Sequence, residues 1–100
     1  EMKKYDKALE CFNACLKQNS DYAYAYNNVG LVHYKQEEYD LAIEAFSKAI
    51  ELNENYGDAY VHRGSAKEML RDNEGACSDW TTAKSLGIKI DVESMCNGNR

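Results

Sequence analysis

The 100-residue chain has no proline, which excludes an extended proline-rich linker. It has no long apolar run either, so no membrane span falls within this segment. Positive charge is in deficit: 12 Lys and Arg against 17 Asp and Glu leave a net charge of −5. Nucleic-acid binders draw much of their affinity from neutralising phosphates, so no nucleic-acid partner is expected. Residues 1–20 lack the basic start, apolar middle and small-residue cleavage site of a signal peptide. A cytoplasmic setting is slightly favoured on that ground. Histidine is scarce, and His33 and His62 are far apart with no cysteine at ligand spacing. No metal and no cofactor are therefore expected. There is no nucleophile–base motif, glycine-rich phosphate loop or purposeful carboxylate pair, so no enzyme and no catalytic residue is expected.

Four cysteines are present: Cys11, Cys15, Cys77 and Cys96. Cys11 and Cys15 stand one helical turn apart, a spacing that fits disulfide geometry poorly. Cys11, Cys15 and Cys77 read as small buried packing residues, and the state of Cys96 is open. The remaining composition is 44% hydrophobic and 29% charged, which suits one small folded domain with a thin core.

What is present is an internal repeat. Shifting the chain by 34 residues lays Tyr5, Asp6, Ala8, Glu10, Phe12, Asn19 and Tyr22 on Tyr39, Asp40, Ala42, Glu44, Phe46, Asn53 and Tyr56. The same shift lays Ala25, Tyr26, Gly30, Ala42, Ala49 and Leu52 on Ala59, Tyr60, Gly64, Ala76, Ala83 and Leu86. Two overlaps at one shift mark a repeat architecture.

Each unit reads as two helices. Tyr22, Tyr26, Val29, Val32 and His33 fall on one helical face, and Tyr39, Ala42, Ile43, Phe46, Ala49 and Ile50 on another. Gln36–Glu38 break the pattern and form the turn between them. Gly30 and Gly64 stand inside helices, where glycine costs roughly 1 kcal/mol relative to alanine. Their recurrence predicts a neighbouring helix too close for a side chain. Asn53–Asn55 supply the next turn. Tyr56–Leu70 is a helix, Asp72 or Asn73 caps the one that runs to Leu86, and Gly87 stops it. Lys4–Gln18 reads as a lone second helix. Ile88, Val92 and Met95 predict a short tail helix, capped by Asp91, lying as a lid over the last pair.

These residues resemble the tetratricopeptide repeat, a 34-residue helix–turn–helix. The middle copy carries Tyr26, Val29, Gly30 and His33, then Ala42, Phe46 and Ala49. The next carries Tyr60, Arg63, Gly64 and Lys67, then Ala76, Trp80 and Ala83, and the first half-copy carries Ala8, Phe12 and Cys15. The resemblance implies an all-α fold, a right-handed superhelix of antiparallel helix pairs with a short C-terminal capping helix. It divides residues 1–100 into an incomplete repeat at 4–22, full repeats at 23–56 and 57–88, and a capping tail at 89–100. His33 and Lys67 stand where the family usually has tyrosine, and Glu54 where it has proline.

Arg63 occupies a position that is normally apolar and inward-facing, and a buried guanidinium needs a partner. Asp79 lies on the facing side of the paired helix. The corresponding pair in the preceding repeat is Val29 and Ala45, both uncharged, which predicts a structural Arg63–Asp79 ion pair.

The resemblance further implies a scaffold or adaptor that holds a protein or peptide in a concave groove. The lining positions are Tyr24, Asn27, Asn28, Leu31, Tyr34 and Lys35 on one helix, and Asp58, Val61, His62, Ser65, Glu68 and Met69 on the next. Some family members grip a terminal carboxylate with Asn, Lys and Arg. Asn28 matches the Asn, but Asp58 and His62 replace the two cations, and Asp58 would repel a carboxylate. An extended neutral or mildly basic segment with an apolar anchor near Tyr24, Leu31 and Tyr34 fits better. The other tyrosines, Tyr5, Tyr22, Tyr26, Tyr39, Tyr56 and Tyr60, recur with the repeat and read mainly as packing. His33 and Trp80 also read as packing. The alternative function is self-association, a homo-oligomer formed through the open face of the N-terminal helix.

Overall fold

The computed structural model describes Leu9 and residues 22–97. Among these residues the fold is all-helical: α1 (Ala23–Lys35), α2 (Tyr39–Leu52), α3 (Gly57–Met69), α4 (Asn73–Ser85) and the short α5 (Val92–Asn97). Apart from Leu9, which is helical, the helix expected at Lys4–Gln18, with Tyr5, Cys11, Cys15 and the face expected to self-associate, lies outside the described residues.

Helices α1 and α2 form one antiparallel hairpin, α3 and α4 a second. The turns within both hairpins close in the same way. Glu38 N–H donates to the His33 carbonyl at 2.9 Å and Glu37 N–H to that of Tyr34 at 3.0 Å. One repeat later, Asp72 N–H donates to Lys67 at 2.9 Å and Arg71 N–H to Glu68 at 2.9 Å. This paired closure satisfies carbonyls that the helix end would leave bare, and it requires one residue in the left-handed conformation. That residue is Glu37 in the first hairpin (φ 63°) and Arg71 in the second (φ 68°), whereas Gly87 (φ 102°) takes the role after α4. The turn between hairpins is held by Asn55 N–H donating to Asn53 Oδ1 at 3.1 Å. Asp72 Oδ1 accepts from Gly75 N–H at 3.0 Å and caps α4. Asp91 Oδ1 accepts from Ser94 N–H at 3.1 Å and caps α5.

The pairs nest through small residues. A methyl group at Gly30 would overlap the Phe46 ring, and one at Gly64 would stand 2.6 Å from Trp80 Nε1. The missing side chains let α1 lie on α2 and α3 on α4 with a large aromatic filling each crossing. Phe46 is fully buried with Ala42 and Ala66, flanked by Leu31, Tyr34, Tyr39 and Ile43. Ala49, Ile50 and Ala59 form the companion cluster, flanked by Ala23, Tyr26, Tyr56 and Tyr60. Helix α2 therefore joins the hairpins, because its alanines contact α3 while Phe46 contacts α1. Trp80 is buried and its Nε1 donates to the Val61 carbonyl at 3.2 Å. Tyr22 departs from the expected packing role: it is 44% exposed at the start of α1.

One cysteine reading is corrected. Cys77 is not a free packing thiol but is disulfide-bonded to Cys96, with Cα atoms 5.5 Å apart. The bond ties α5 to α4. A six-residue helix is too short to persist by itself, so the tail needs such anchorage. Closing a loop over a sequence separation of 19 residues contributes about 3 kcal/mol in the chain-entropy account. Cysteine spacing along the chain did not reveal the pair, because the tail's return onto α4 brings the two residues together.

Glu37 and Arg71 hold a conformation that costs L-residues about 1–2 kcal/mol. Glu37→Gly and Arg71→Gly are each expected to stabilise the fold by about 0.5–1 kcal/mol, after allowing for the greater freedom of unfolded glycine. Urea unfolding midpoints measure this; an unchanged or lowered midpoint in both variants contradicts it.

Candidate functional site

Residues one turn apart along α1 and α3 place their side chains on the side where these two helices meet. Leu31, Tyr34 and Lys35 from α1 and His62 and Ser65 from α3 line one hollow of about 150 Å³. Tyr34 packs edge-on to Tyr39 at 5.4 Å, and the His62 ring lies 5.5 Å from that of Phe46. The hollow thus rests directly on the core that joins the hairpins. Burial, with Tyr39 and Glu68 nearby, raises the Tyr34 pKa, so its phenol stays neutral and able to donate.

The other expected lining residues are distributed differently. Tyr24 is 54% exposed and lines a separate hollow of about 540 Å³ with Tyr22, Ala23, Leu52, Asn53 and Tyr56. Met69 lies at the far end of α3, in a third depression with Glu68, Arg71 and Asn73. Asp58 is exposed on the first turn of α3, while Asn28 and Val61 are half-buried.

Asn27 does not line the groove. It is 4% exposed, and it bridges α1 to α3. Its Oδ1 stands 3.2 Å from His62 Nδ1. The carboxamide oxygen suits this place because it can accept from the imidazole N–H. Asn27 and Asn28 looked equivalent in sequence; the helical turn of about 100° per residue sends Asn27 inward and leaves Asn28 half-buried.

Behind this face lies a charged network. Arg63 Nε donates to Asp79 Oδ2 at 2.9 Å and Nη2 donates to Oδ1 at 2.8 Å. Lys67 Nζ lies 3.1 Å from Asp79 Oδ2, and Arg63 Nη1 donates to Ser47 Oγ at 3.2 Å. The guanidinium also sits 5.5 Å from the Tyr60 ring centroid. The hydrogen bonds that Arg63 donates to Asp79 outweigh burial and raise its pKa further. Lys67, at a position where the family usually has tyrosine, is the second cation on Asp79. In the first hairpin the matching residues Val29, His33 and Ala45 line a hollow of about 370 Å³. There His33 turns instead to Glu38 Oε1 at 3.0 Å. Among the described residues no buried side-chain nitrogen or oxygen lacks a partner, and no three His, Cys, Asp or Glu gather at metal-binding distance.

Paired helices, small-residue crossings and a face shared by first helices define a helical-repeat scaffold. The tetratricopeptide repeat model matches residues 23–56 and a second model, TPR repeat, matches residues 1–37. The chain belongs to the tetratricopeptide repeat family. No curated protein matches it significantly. Solved structures resemble it over nearly its whole length. The Arabidopsis OM64 TPR domain is 23% identical, with a TM-score of 0.88 over 97% of this chain and 80% of that one. The first TPR of Spaghetti (RPAP3), solved bound to the HSP90 peptide SRMEEVD, is 21% identical, with a TM-score of 0.89 over 97% and 78%. The TPR2B domain of yeast Sti1, in a complex with pHsp70, is 17% identical, with a TM-score of 0.87 over 99% and 87%. The helix pairs follow the right-handed superhelix of these solenoids, with α5 as the cap.

Two predictions follow from the polar groups. Asp79→Ala strands two cations and is expected to cost about 3–5 kcal/mol. Arg63→Val with Asp79→Ala, which restores the apolar pair of the first hairpin, is expected to recover part of that loss. Chemical denaturation measures both, and a double variant no more stable than Asp79→Ala contradicts the account. Burial holds the His62 pKa below its ordinary value despite the opposing pull of Asp58. The unfolded chain therefore binds that proton more readily. The stability His62 contributes is complete above about pH 6.5 and is lost as pH falls below it. Between about pH 7.5 and about pH 5.5, the wild type should lose more stability than His62→Gln; equal losses contradict this.

Proposed function

We propose that this chain is a protein-interaction module whose α1–α3 face holds an extended segment of a partner protein. One observation carries this reading. Leu31, Tyr34, Lys35, His62 and Ser65, from two helices of different repeats, converge on a single hollow. A hollow of about 150 Å³ admits one apolar side chain, while Lys35 and Ser65 offer polar groups to the segment's backbone. The complexes of RPAP3 and Sti1 with chaperone segments supply precedent for a peptide on this fold.

The charge of the face argues for a different peptide from the acidic SRMEEVD. Asp58 stands where the carboxylate-gripping members of the family carry a cation. His62, held neutral by burial, stands at the other such place. An acidic terminus would meet the Asp58 charge and a neutral imidazole at these two places, with the cation Lys35 across the hollow on α1. A neutral or mildly basic segment with one aliphatic or aromatic anchor is the expected ligand. The Arg63–Asp79 pair lies behind the face and serves the packing of α3 on α4.

Peptide-display selection against the chain tests the proposal. Selected sequences should be poor in Asp and Glu. Their affinity should fall on the order of tenfold or more in Tyr34→Ala, since truncating a central contact commonly costs 2 kcal/mol or more. Selection of acidic peptides, or binding indifferent to Tyr34, overturns it.

A further inference from the structure

Exposed aromatic side chains gathered around one hollow are unusual on a surface unless something covers them. Tyr22 and Tyr24, 44% and 54% exposed, stand with ring centroids 5.7 Å apart and planes inclined by 37°. Tyr56 lines the same hollow from the start of α3. Two residues on, Asp58 is exposed on the same helical turn, close enough for its charge to act on the Tyr56 hydroxyl. No Lys or Arg among the described residues lines this hollow.

We infer that Tyr22, Tyr24, Tyr56 and Asp58 form a receptor for an arginine side chain of the bound partner segment. Aromatic faces attract a cation, and a nearby carboxylate adds a formal charge to that attraction. Arginine suits the place better than lysine, because its flat guanidinium stacks on a ring while its edge N–H groups reach a carboxylate. The chain already builds this combination internally. Arg63 lies 5.5 Å from the Tyr60 ring centroid while donating twice to Asp79. At the surface cluster the tyrosines and the carboxylate are present, and no guanidinium of the described residues lines it.

The placement also sets a spacing, and this part rests on the groove reading above. Tyr24 and Leu31 are seven residues apart on α1, about 10 Å along the axis at about 1.5 Å per residue. An extended segment covers that distance in about three residues. The arginine therefore falls about three residues from the apolar side chain in the Leu31–Tyr34 hollow.

Nuclear magnetic resonance titration of the whole chain tests the receptor by itself. The probes are N-acetyl-arginine methylamide, its uncharged citrulline isostere and N-acetyl-glutamate methylamide. The arginine probe is expected to shift the Tyr22, Tyr24 and Tyr56 ring signals saturably, with the citrulline probe at least tenfold weaker and the glutamate probe inert. Asp58→Asn and Tyr24→Ala, both at exposed positions, should each weaken the arginine probe severalfold and leave the remaining spectrum unchanged. Equal binding of arginine and citrulline probes, or glutamate acting on the same rings, overturns the inference. The peptides acetyl-Arg-Ala-Ala-Leu-amide and acetyl-Leu-Ala-Ala-Arg-amide then separate the two readings. Shifts at Leu31 and Tyr34 without shifts at Tyr24 and Tyr56 uphold the groove and overturn the receptor. The reverse pattern upholds the receptor and overturns the groove.

Discussion

Close approach of paired helices is the constraint on which the molecule depends. Each hairpin places a glycine of its first helix against an aromatic ring of its second: Gly30 against Phe46 and Gly64 against Trp80. Glycine weakens each helix by about 1 kcal/mol. Burying a large aromatic side chain returns roughly 2–3 kcal/mol, and the exchange also fixes how the helices cross. Alanines at Ala42, Ala49, Ala59 and Ala66 let the next hairpin settle at a repeated distance. The shared face of α1 and α3 follows from that distance. A bulkier residue at any crossing would move the two sides of the groove relative to one another.

The two hairpins solve the same packing problem with different chemistry. In the first, Val29, His33 and Ala45 leave a shallow hollow. In the second, Arg63 and Lys67 converge on a buried Asp79. Such a cluster adds little net stability compared with an apolar core, but its geometry is exacting, since every charge must find its partner. Ser47 on α2 also accepts from Arg63, so the network links the second hairpin to the first. Asn27 on α1 makes a second such link through His62 on α3. Two polar links and a continuous alanine seam thus hold adjacent hairpins in register.

The α1–α3 face mixes apolar, polar and charged side chains. Burial keeps His62 neutral and Tyr34 protonated, while Asp58 remains exposed beside a cluster of tyrosines. The backbone resembles that of domains solved with chaperone peptides. Fold similarity at about 20% identity fixes where side chains project, and the side chains decide what they meet.

The 34-residue recurrence and its small and large positions determined the helices, their pairing and the crossing glycines, because these depend on spacing along one chain. The charge at Arg63 pointed to Asp79 for the same reason, since both depart together from an apolar pattern. What tertiary structure alone decided depends on angle and return of the chain. A rotation of about 100° put Asn27 inside and left Asn28 half-buried. Lys67 joined Asp79 because α4 passes within its reach. Cys77 met Cys96 because the tail folds back over α4, and Tyr22 came to stand beside Tyr24 and Tyr56 because two helix starts lie side by side. Spacing along a chain records which residues share a helical face, but the approach of separate segments is set only when the segments pack.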